Sequence, residues 1–158
     1  MDLVDYKIIK ILQKNARESA SSISKKIHLS VSAVIERIRK LEESGIIRDY
    51  TIIVDDRRTG NLFTALMEVS LDNPRYYDEF SFMVRKMDSV VSCYYQTGDF
   101  DLLLKITCAS SDEFEQIHRE LMSLEGVKDT RTHVVIKTVK NIYSAARRPE
   151  GLADPEEG

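Results

Sequence analysis

The chain has 158 residues, of which 42% are hydrophobic and 31% charged, and its net charge is −3. This length suits one domain or two small ones, and the net negative charge argues against a non-specific nucleic-acid binder. The charge is unevenly distributed, because residues 1–48 hold ten Lys/Arg against six Asp/Glu, and residues 49–158 hold thirteen against twenty. We therefore expect only the N-terminal part to meet a polyanion.

No apolar run is long enough for a membrane span, and the first residues lack the pattern of a signal peptide. We therefore expect a cytoplasmic protein without membrane contact. Cys93 and Cys108 lie in predicted strands and are interpreted as small buried hydrophobic residues in a reducing compartment. A disulfide or a redox switch is the alternative.

Three helices are predicted within residues 1–48, each opened by a residue that favours the N-cap position. Asp2 caps a first helix that runs to Lys14, Ser19 caps a shorter second helix, and Ser30 caps a third helix of about four turns. Two helices joined by three or four residues after a supporting helix form a helix-turn-helix unit. Small three-helix bundles without DNA binding also exist, and the pattern alone leaves this alternative open.

The third helix has a buried stripe and a solvent-facing side. Val34, Ile38 and Leu41 recur at helical spacing, and Gly45 suits a left-handed position after the helix. Its other positions point away from the stripe, which is typical of a helix presented to a partner.

Residues 46–54 are rich in β-formers and predict a strand, and residues 55–61 are polar with a glycine and predict a linker. From residue 62 onward the order strand–helix–strand occurs twice. The predicted strands cover residues 62–71, 90–97, 101–108 and 127–139, and the predicted helices cover residues 76–87 and 112–124. This order predicts a ferredoxin-like βαββαβ sandwich with both helices on one sheet face.

The uncovered sheet face is predicted to be apolar and to bind a second copy of the chain. The strands contain more apolar residues than a single helix-covered face requires. These residues are Leu62, Leu66, Val91, Cys93, Leu103, Val134 and Ile136. The predicted fold class is α+β, with a winged-helix-like helix-turn-helix domain over residues 1–48. A β-strand and linker follow over residues 49–61, then the ferredoxin-like domain over residues 62–143 and a flexible tail over residues 144–158.

Three motifs occur in order along the chain. The first is Asp2-x-x-Asp5-x-x-Ile8. The second is Leu29-Ser30-x-Ser32-x-Val34-x-x-Arg37-Ile38-x-x-Leu41-Glu42-x-x-Gly45-Ile46-Ile47. The third is Gly98-Asp99-Phe100-Asp101, followed by Thr130-Arg131-Thr132. Together they resemble the Lrp/AsnC family of transcriptional regulators over residues 2–143. The resemblance implies dimers through the sheet, often assembled into tetramers or octamers, and an amino-acid effector bound between subunits near the Gly-Asp loop.

Two residues depart from the family pattern. His28 stands where glycine is usual in the turn, and histidine is among the better-tolerated non-glycine residues in a left-handed conformation. Glu36 stands where a basic residue is common on the recognition helix. Its carboxylate repels phosphate but accepts a hydrogen bond from a cytosine amino group, so the departure affects the target sequence.

Candidate DNA-binding residues follow from the resemblance and from predicted exposure. Ser32, Ala33, Glu36 and Arg37 are expected at base edges, with Arg37 bonding guanine in bidentate fashion. Lys25, Lys26, Arg39 and Lys40 are expected near phosphates, and Ser30 caps the same helix end. A symmetric dimer then predicts an imperfect palindrome in double-stranded DNA, with half-sites about one helical turn apart. Solvated helix charges are the alternative for Lys25 and Arg39.

The candidate effector-binding residues are Gly98, Asp99, Asp101, Thr130 and Thr132. The chemistry is compatible, since a carboxylate suits an α-amino group, although Gly-Asp is also an ordinary turn signal. No cofactor is predicted apart from this possible amino-acid effector.

An enzyme is not predicted. The histidines at positions 28, 118 and 133 are scattered, and no Cys/His/Asp set has metal-ligand spacing. Two rivals to the regulator stay open: a sensing or interaction module with a vestigial helix-turn-helix, and an architectural protein that binds DNA without sequence preference.

Overall fold

A computed structural model describes residues 1–149. The chain forms two compact units, the first made of Met1–Ile53 with the described residues from Asn141 onward, and the second of Val54–Lys140. The flexible tail predicted over residues 144–158 lies mostly outside the described residues. Within the first unit, the Gln13 side chain donates a hydrogen bond to the carbonyl oxygen of Ser144 at 3.0 Å.

The first unit is built from three helices, α1 (Leu3–Lys14), α2 (Ala20–Ile27) and α3 (Val31–Glu43). Asp2, Ser19 and Ser30 are their N-caps, as predicted. At α1 the cap is reciprocal, because the Asp2 carboxylate accepts from the Asp5 N–H and the Asp5 carboxylate accepts from the Asp2 N–H. Such a capping box satisfies two amides that have no partner within the helix.

The core of the first unit takes one apolar stripe from each helix. Its fully buried members are Ile8, Ile23, Val34 and Leu41. Gly45 follows α3 with a φ of +72°, the left-handed conformation predicted for it.

The strand predicted over residues 46–54 is not formed among the described residues, so this prediction is wrong for the single chain. A strand needs a neighbour to pair with its backbone groups, and no described strand pairs with this segment. Ile52 and Ile53 are accordingly 78% and 70% exposed.

The second unit is a four-stranded antiparallel sheet with two α-helices. The strands are β1 (Phe63–Leu71), β2 (Val90–Tyr95), β3 (Leu102–Cys108) and β4 (Val127–Val134), and the helices are α4 (Tyr77–Val84) and α5 (Ser111–Met122). The sheet order is β2-β3-β1-β4, which is the predicted ferredoxin-like layout. A short 3-10 helix (Pro74–Tyr76) precedes α4.

Helix α4 and strand β4 end three and five residues earlier than predicted, and the other elements of this unit differ by one or two residues at an end. Helix α4 ends at Val84 rather than Met87, because Lys86 and Met87 donate to carbonyls three residues back and the chain tightens into a turn. Strand β4 ends at Val134 rather than Val139. Its partner β1 begins at Phe63, and the last hydrogen bond between the two runs from the Val135 N–H to the Thr64 carbonyl. Beyond this bond, β1 offers no further residues for the chain to pair with.

The strand register corrects the prediction for the uncovered sheet face. Cys93 and Val134 pair with Leu104 and Ala65, whose side chains are buried on the helix-covered face. Leu66 and Leu103 do lie on the open face.

The open face also carries charge. Arg131 and His133 lie 3.7 and 3.6 Å from a Glu68 carboxylate oxygen. This face is therefore mixed rather than apolar.

Candidate functional sites

The turn between α2 and α3 is fixed by three local features. The Ser19 hydroxyl caps α2 by accepting from the Ser22 N–H at 3.1 Å. His28 ends α2 in the left-handed conformation, with φ 57° and ψ 46°. The Ser30 hydroxyl then accepts from the Ala33 N–H at 3.2 Å and opens α3. The two helices are thus joined by three residues, as a helix-turn-helix requires.

The exposed side of α3 carries a chain of ion pairs. The Arg39 guanidinium bonds both carboxylate oxygens of Glu36, at 2.7 and 3.0 Å, and also bonds the Glu43 carboxylate. The Lys40 ammonium lies 3.5 Å from Glu36. The hydrogen bonds from Arg39 lower the pKa of Glu36 to about 2, so this carboxylate is charged at neutral pH. These carboxylates offset the basic residues expected near phosphates.

Arg37 is placed differently from the other candidates. Its Nη1 lies 2.7 Å from the Asp2 carboxylate and 2.7 Å from the Asp5 carboxylate, so its guanidinium ties α3 to the cap of α1. These bonds raise the pKa of Arg37, and the bond from the Asp5 N–H chiefly lowers that of Asp2. The side chain predicted to read guanine is thus engaged within the domain.

The two lysines of α2 are both exposed but differ in their partners. The Lys26 ammonium lies 2.6 Å from the Glu18 carboxylate. The bonds from Lys26 and Ser22 lower the pKa of Glu18 to about 2. Lys25 has no ion-pair partner among residues 1–149, which leaves its ammonium available for a phosphate.

Ser32 is exposed beside the cap, and Ala33 is partly buried. Two neighbours on this helix that were not predicted as site residues, Val31 and Ile35, are 42% and 54% exposed. Both are apolar, yet neither belongs to the buried stripe of Val34. An apolar residue outside the buried stripe is the sequence signal that could have identified them.

In the second unit, the predicted effector loop joins β2 to β3. Gly98 has a φ of +126°, which favours glycine. The Asp101 carboxylate accepts from the Leu71 N–H at 2.7 Å, and the Asp101 N–H donates to the Val69 carbonyl at 3.0 Å. Asp101 thus fixes the loop to the end of β1, whereas the Asp99 side chain is exposed.

The two predicted threonines do not face this loop. Thr130 and Thr132 pair with Val69 and Met67, so their side chains lie on the helix-covered face. There the Thr130 hydroxyl is 3.1 Å from His118 Nε2 on α5.

The residue between these threonines does reach the loop. The Arg131 guanidinium stacks on the Phe100 ring at 4.6 Å. Side chains alternate along a strand, so Arg131 lies on the opposite face from Thr130 and Thr132. This alternation can be read from the sequence and could have distinguished Arg131 from the threonines.

A cavity of about 390 Å³ lies beside Asp101. Its lining residues are Leu71, Pro74, Tyr77, Tyr95 and Asp101. The Tyr77 and Tyr95 rings meet edge to face, with centroids 5.0 Å apart. The volume is within the range of about 300–1,000 Å³ for small-molecule sites, and the wall combines aromatic surface with one carboxylate.

Within the described part of the chain, no group of three or more His, Cys, Asp or Glu side chains is arranged to hold a metal ion. None of the described helices is long and apolar enough to cross a membrane. Cys93 and Cys108 are both free, and Cys93 is exposed rather than buried as interpreted from the sequence.

Comparison with known proteins assigns both units. A winged helix-turn-helix DNA-binding domain matches residues 1–48, and the Lrp/AsnC ligand binding domain matches residues 64–144. The chain belongs to the Lrp/AsnC family. The resemblance noted in the sequence is thereby confirmed, together with the fold class and the assignment to a family of transcriptional regulators rather than enzymes.

Named relatives cover most of this Lrp/AsnC chain. The leucine-responsive regulatory proteins of Escherichia coli and Haemophilus influenzae are 34% and 33% identical to it over 143 residues. The match covers 89% of this chain and 87% and 86% of those proteins.

Solved structures of the family agree with this fold. A transcriptional regulator of Neisseria meningitidis in complex with L-Met has a TM-score of 0.88 at 30% identity, covering 92% of this chain and 96% of that one. LrpC of Bacillus subtilis has a TM-score of 0.81 at 31% identity, covering 89% and 97%.

Proposed function

We propose that this Lrp/AsnC protein is a sequence-specific transcriptional regulator that binds double-stranded DNA and is controlled by an amino acid. The observation that carries the DNA-binding part is the turn from Ser19 through His28 to Ser30, which presents α3 as a recognition helix. Ser32 and Ala33 lie in its first turn, the part of a recognition helix that contacts base edges. Lys25 and Lys26 are the phosphate contacts, together with Lys40 and, once released from its carboxylates, Arg39.

Glu36 is proposed to accept a hydrogen bond from a cytosine amino group. It is held by Arg39, so base contact requires that ion pair to open or the two residues to act together. Arg37 is proposed to position α1 rather than to read a base, since its guanidinium already binds Asp2 and Asp5.

Two copies of the chain are proposed to pair through the open sheet face. Leu66 and Leu103 supply apolar surface there, the neighbouring Glu68 and Arg131 supply complementary charge, and His133 adds a polar imidazole. A two-fold dimer presents two recognition helices, so the operator is expected to be an imperfect palindrome. Selection from a random duplex library tests this proposal, and failure to enrich any sequence would overturn it.

The amino-acid effector is proposed to bind in the cavity beside Asp101. Asp101, with Asp99 and Gly98 of the same loop, supports an α-ammonium group, while Tyr77 and Tyr95 support an apolar side chain. The neighbouring family structure that holds L-Met makes an amino acid the first ligand class to test. Thr130 and Thr132 lie on β4 and are proposed to act only through the packing of α5.

Among the described residues that line the cavity, none is a lysine or an arginine. An α-carboxylate bound there would then need a donor from elsewhere, and a second subunit is the proposed source. This supports an effector held between subunits, in a dimer or in a tetramer or octamer built from dimers.

Titration calorimetry with each of the twenty amino acids tests the effector site. We expect heat from at least one of them, and a loss of about tenfold or more in affinity for Tyr95→Ala, because the ring forms much of the apolar wall. Phe82→Ala on α4 is the matched control, since Phe82 is 58% exposed and does not line the cavity. No heat with any amino acid, or equal losses in both variants, would contradict the assignment.

A further inference from the structure

Val31 and Ile35 form an apolar pair on the exposed side of α3. They lie four residues apart, so their side chains are neighbours on one helix face. Their exposed fractions are 42% and 54%, and neither belongs to the hydrophobic core of the first unit or packs against it. Single exposed apolar residues are common on proteins, so exposure alone assigns no role to this pair, and its position on α3 is what indicates one.

The pair lies in the N-terminal half of the recognition helix. Val31 is the first residue of α3, directly after the Ser30 cap. Ser32 and Glu36, the polar residues proposed to reach base edges, alternate with the pair along the same exposed surface. The apolar pair therefore borders the proposed base-contacting surface, and a recognition helix placed in the major groove as proposed carries the pair there with it.

We propose that Val31 and Ile35 recognise the C5-methyl groups of thymine in each half-site. This inference rests on the proposed DNA-binding function and adds to it the base that the helix selects. The occupant of the apolar patch is thus the major groove of double-stranded DNA.

The chemistry of the groove supports thymine over the other bases. Among the four bases, thymine alone displays a methyl group in the major groove, beside its O4 acceptor, whereas guanine, adenine and cytosine present hydrogen-bond donors or acceptors and no methyl group there. An aliphatic side chain pressed against those edges would leave them without a hydrogen-bond partner, which is costly. Valine and isoleucine are also stiff at χ1 in a helix, so little side-chain freedom is lost on contact.

Deoxyuridine differs from thymidine only by that methyl group and provides the test. The full-length protein is first used to select a binding site from random duplexes. Each thymine of the selected half-site is then replaced in turn by deoxyuridine, and affinity is measured for the wild type, Val31→Ala and Ile35→Ala. Ile46→Ala is the control, because Ile46 is 48% exposed and lies beyond the end of α3.

We expect the wild type to lose about fourfold in affinity at one or two thymine positions, the value of one buried methyl group. At one such position Ile35→Ala should bind thymine and deoxyuridine duplexes equally, while the control keeps the wild-type discrimination. Both substituted positions are exposed and alanine favours helix, so folding of α3 is preserved.

Several outcomes would overturn the proposal. A selected half-site without thymine would do so, as would a wild type indifferent to deoxyuridine at every position. It would also be overturned if Ile35→Ala and Val31→Ala both kept the full preference for thymine. These results leave specific DNA binding intact, whereas the absence of any selected site would overturn the proposed function as well.

Discussion

Replacing Arg37 with alanine tests whether this side chain supports the fold or reads a base. Its guanidinium joins two carboxylates at 2.7 Å, with 33% of the Arg37 side chain exposed and only 17% of that of Asp5. Exposed ion pairs contribute about 0.2–1 kcal/mol each, and the Asp5 contact is the more sheltered of the two. We therefore expect Arg37→Ala to lower the free energy of unfolding by about 1 kcal/mol. For a small domain this corresponds to a fall of about 4–8 °C in the midpoint of its thermal transition.

A double-mutant cycle with Asp5→Asn assigns this loss to the contact itself. Urea unfolding of the full chain, followed by circular dichroism, gives the four stabilities. We expect a coupling energy of about 0.5–1 kcal/mol between the two sites. Arg39→Ala is the matched control, because Arg39 lies on the same helix and is 51% exposed, so its loss of stability should be clearly smaller than that of Arg37→Ala.

Measurements of DNA binding by Arg37→Ala distinguish a role in positioning α1 from a role in reading a base. If Arg37 positions α1, Arg37→Ala weakens binding to all good sites alike and leaves base preferences unchanged. Unchanged stability, with preference lost at one position of the half-site, would refute the structural role and restore the base-reading prediction.

Two further predictions concern stability. Glu18 has a folded-state pKa of about 2 against its ordinary 4.5, so its bonds stabilise the fold fully above pH 4.5 and are lost as pH falls toward 2. Acid titration of Glu18→Gln should therefore show a flatter fall in stability over that window, and an unchanged profile would contradict the contact. His28 has a φ of 57°, so His28→Gly should stabilise the protein by up to about 1 kcal/mol in urea unfolding, because relief of left-handed strain exceeds the entropy cost of glycine. A less stable His28→Gly would show that the imidazole makes an offsetting contact.

The sequence predicted the local features of the fold well, because their causes lie within a few residues. Asp2, Ser19 and Ser30 each accept from an N–H three residues ahead, and such a bond depends only on neighbours in the chain. The left-handed glycine at position 45 is local in the same way.

Features that depend on distant residues were missed. The end of β4 at Val134 is set by where β1 begins, about seventy residues earlier. The role of Arg37 depends on carboxylates 32 and 35 residues away. The strand predicted over residues 46–54 had suitable residues but no partner in the single chain.

The candidate sites also divide into local features, which the sequence predicted, and features that join distant residues, which it did not. The Gly98 turn was predicted, since it is local, whereas the contact of Asp101 with the end of β1 joins residues 30 positions apart. Tyr77 and Tyr95 were not predicted, because a cavity wall joins α4 to β2. The sequence predicts an effector role for the threonines of β4 and not for Arg131, although alternation along a strand places Arg131 on the opposite face.

Selection from a random duplex library, at near-physiological salt and with and without a mixture of amino acids, tests the central claim most directly. We expect an enriched imperfect palindrome with half-sites about one helical turn apart, and a change in affinity or in the selected sequence when amino acids are present. Enrichment without palindromic symmetry would contradict the dimeric regulator. No enrichment in either arm, with binding that stays weak, salt-sensitive and indifferent to sequence, would contradict specific DNA recognition altogether.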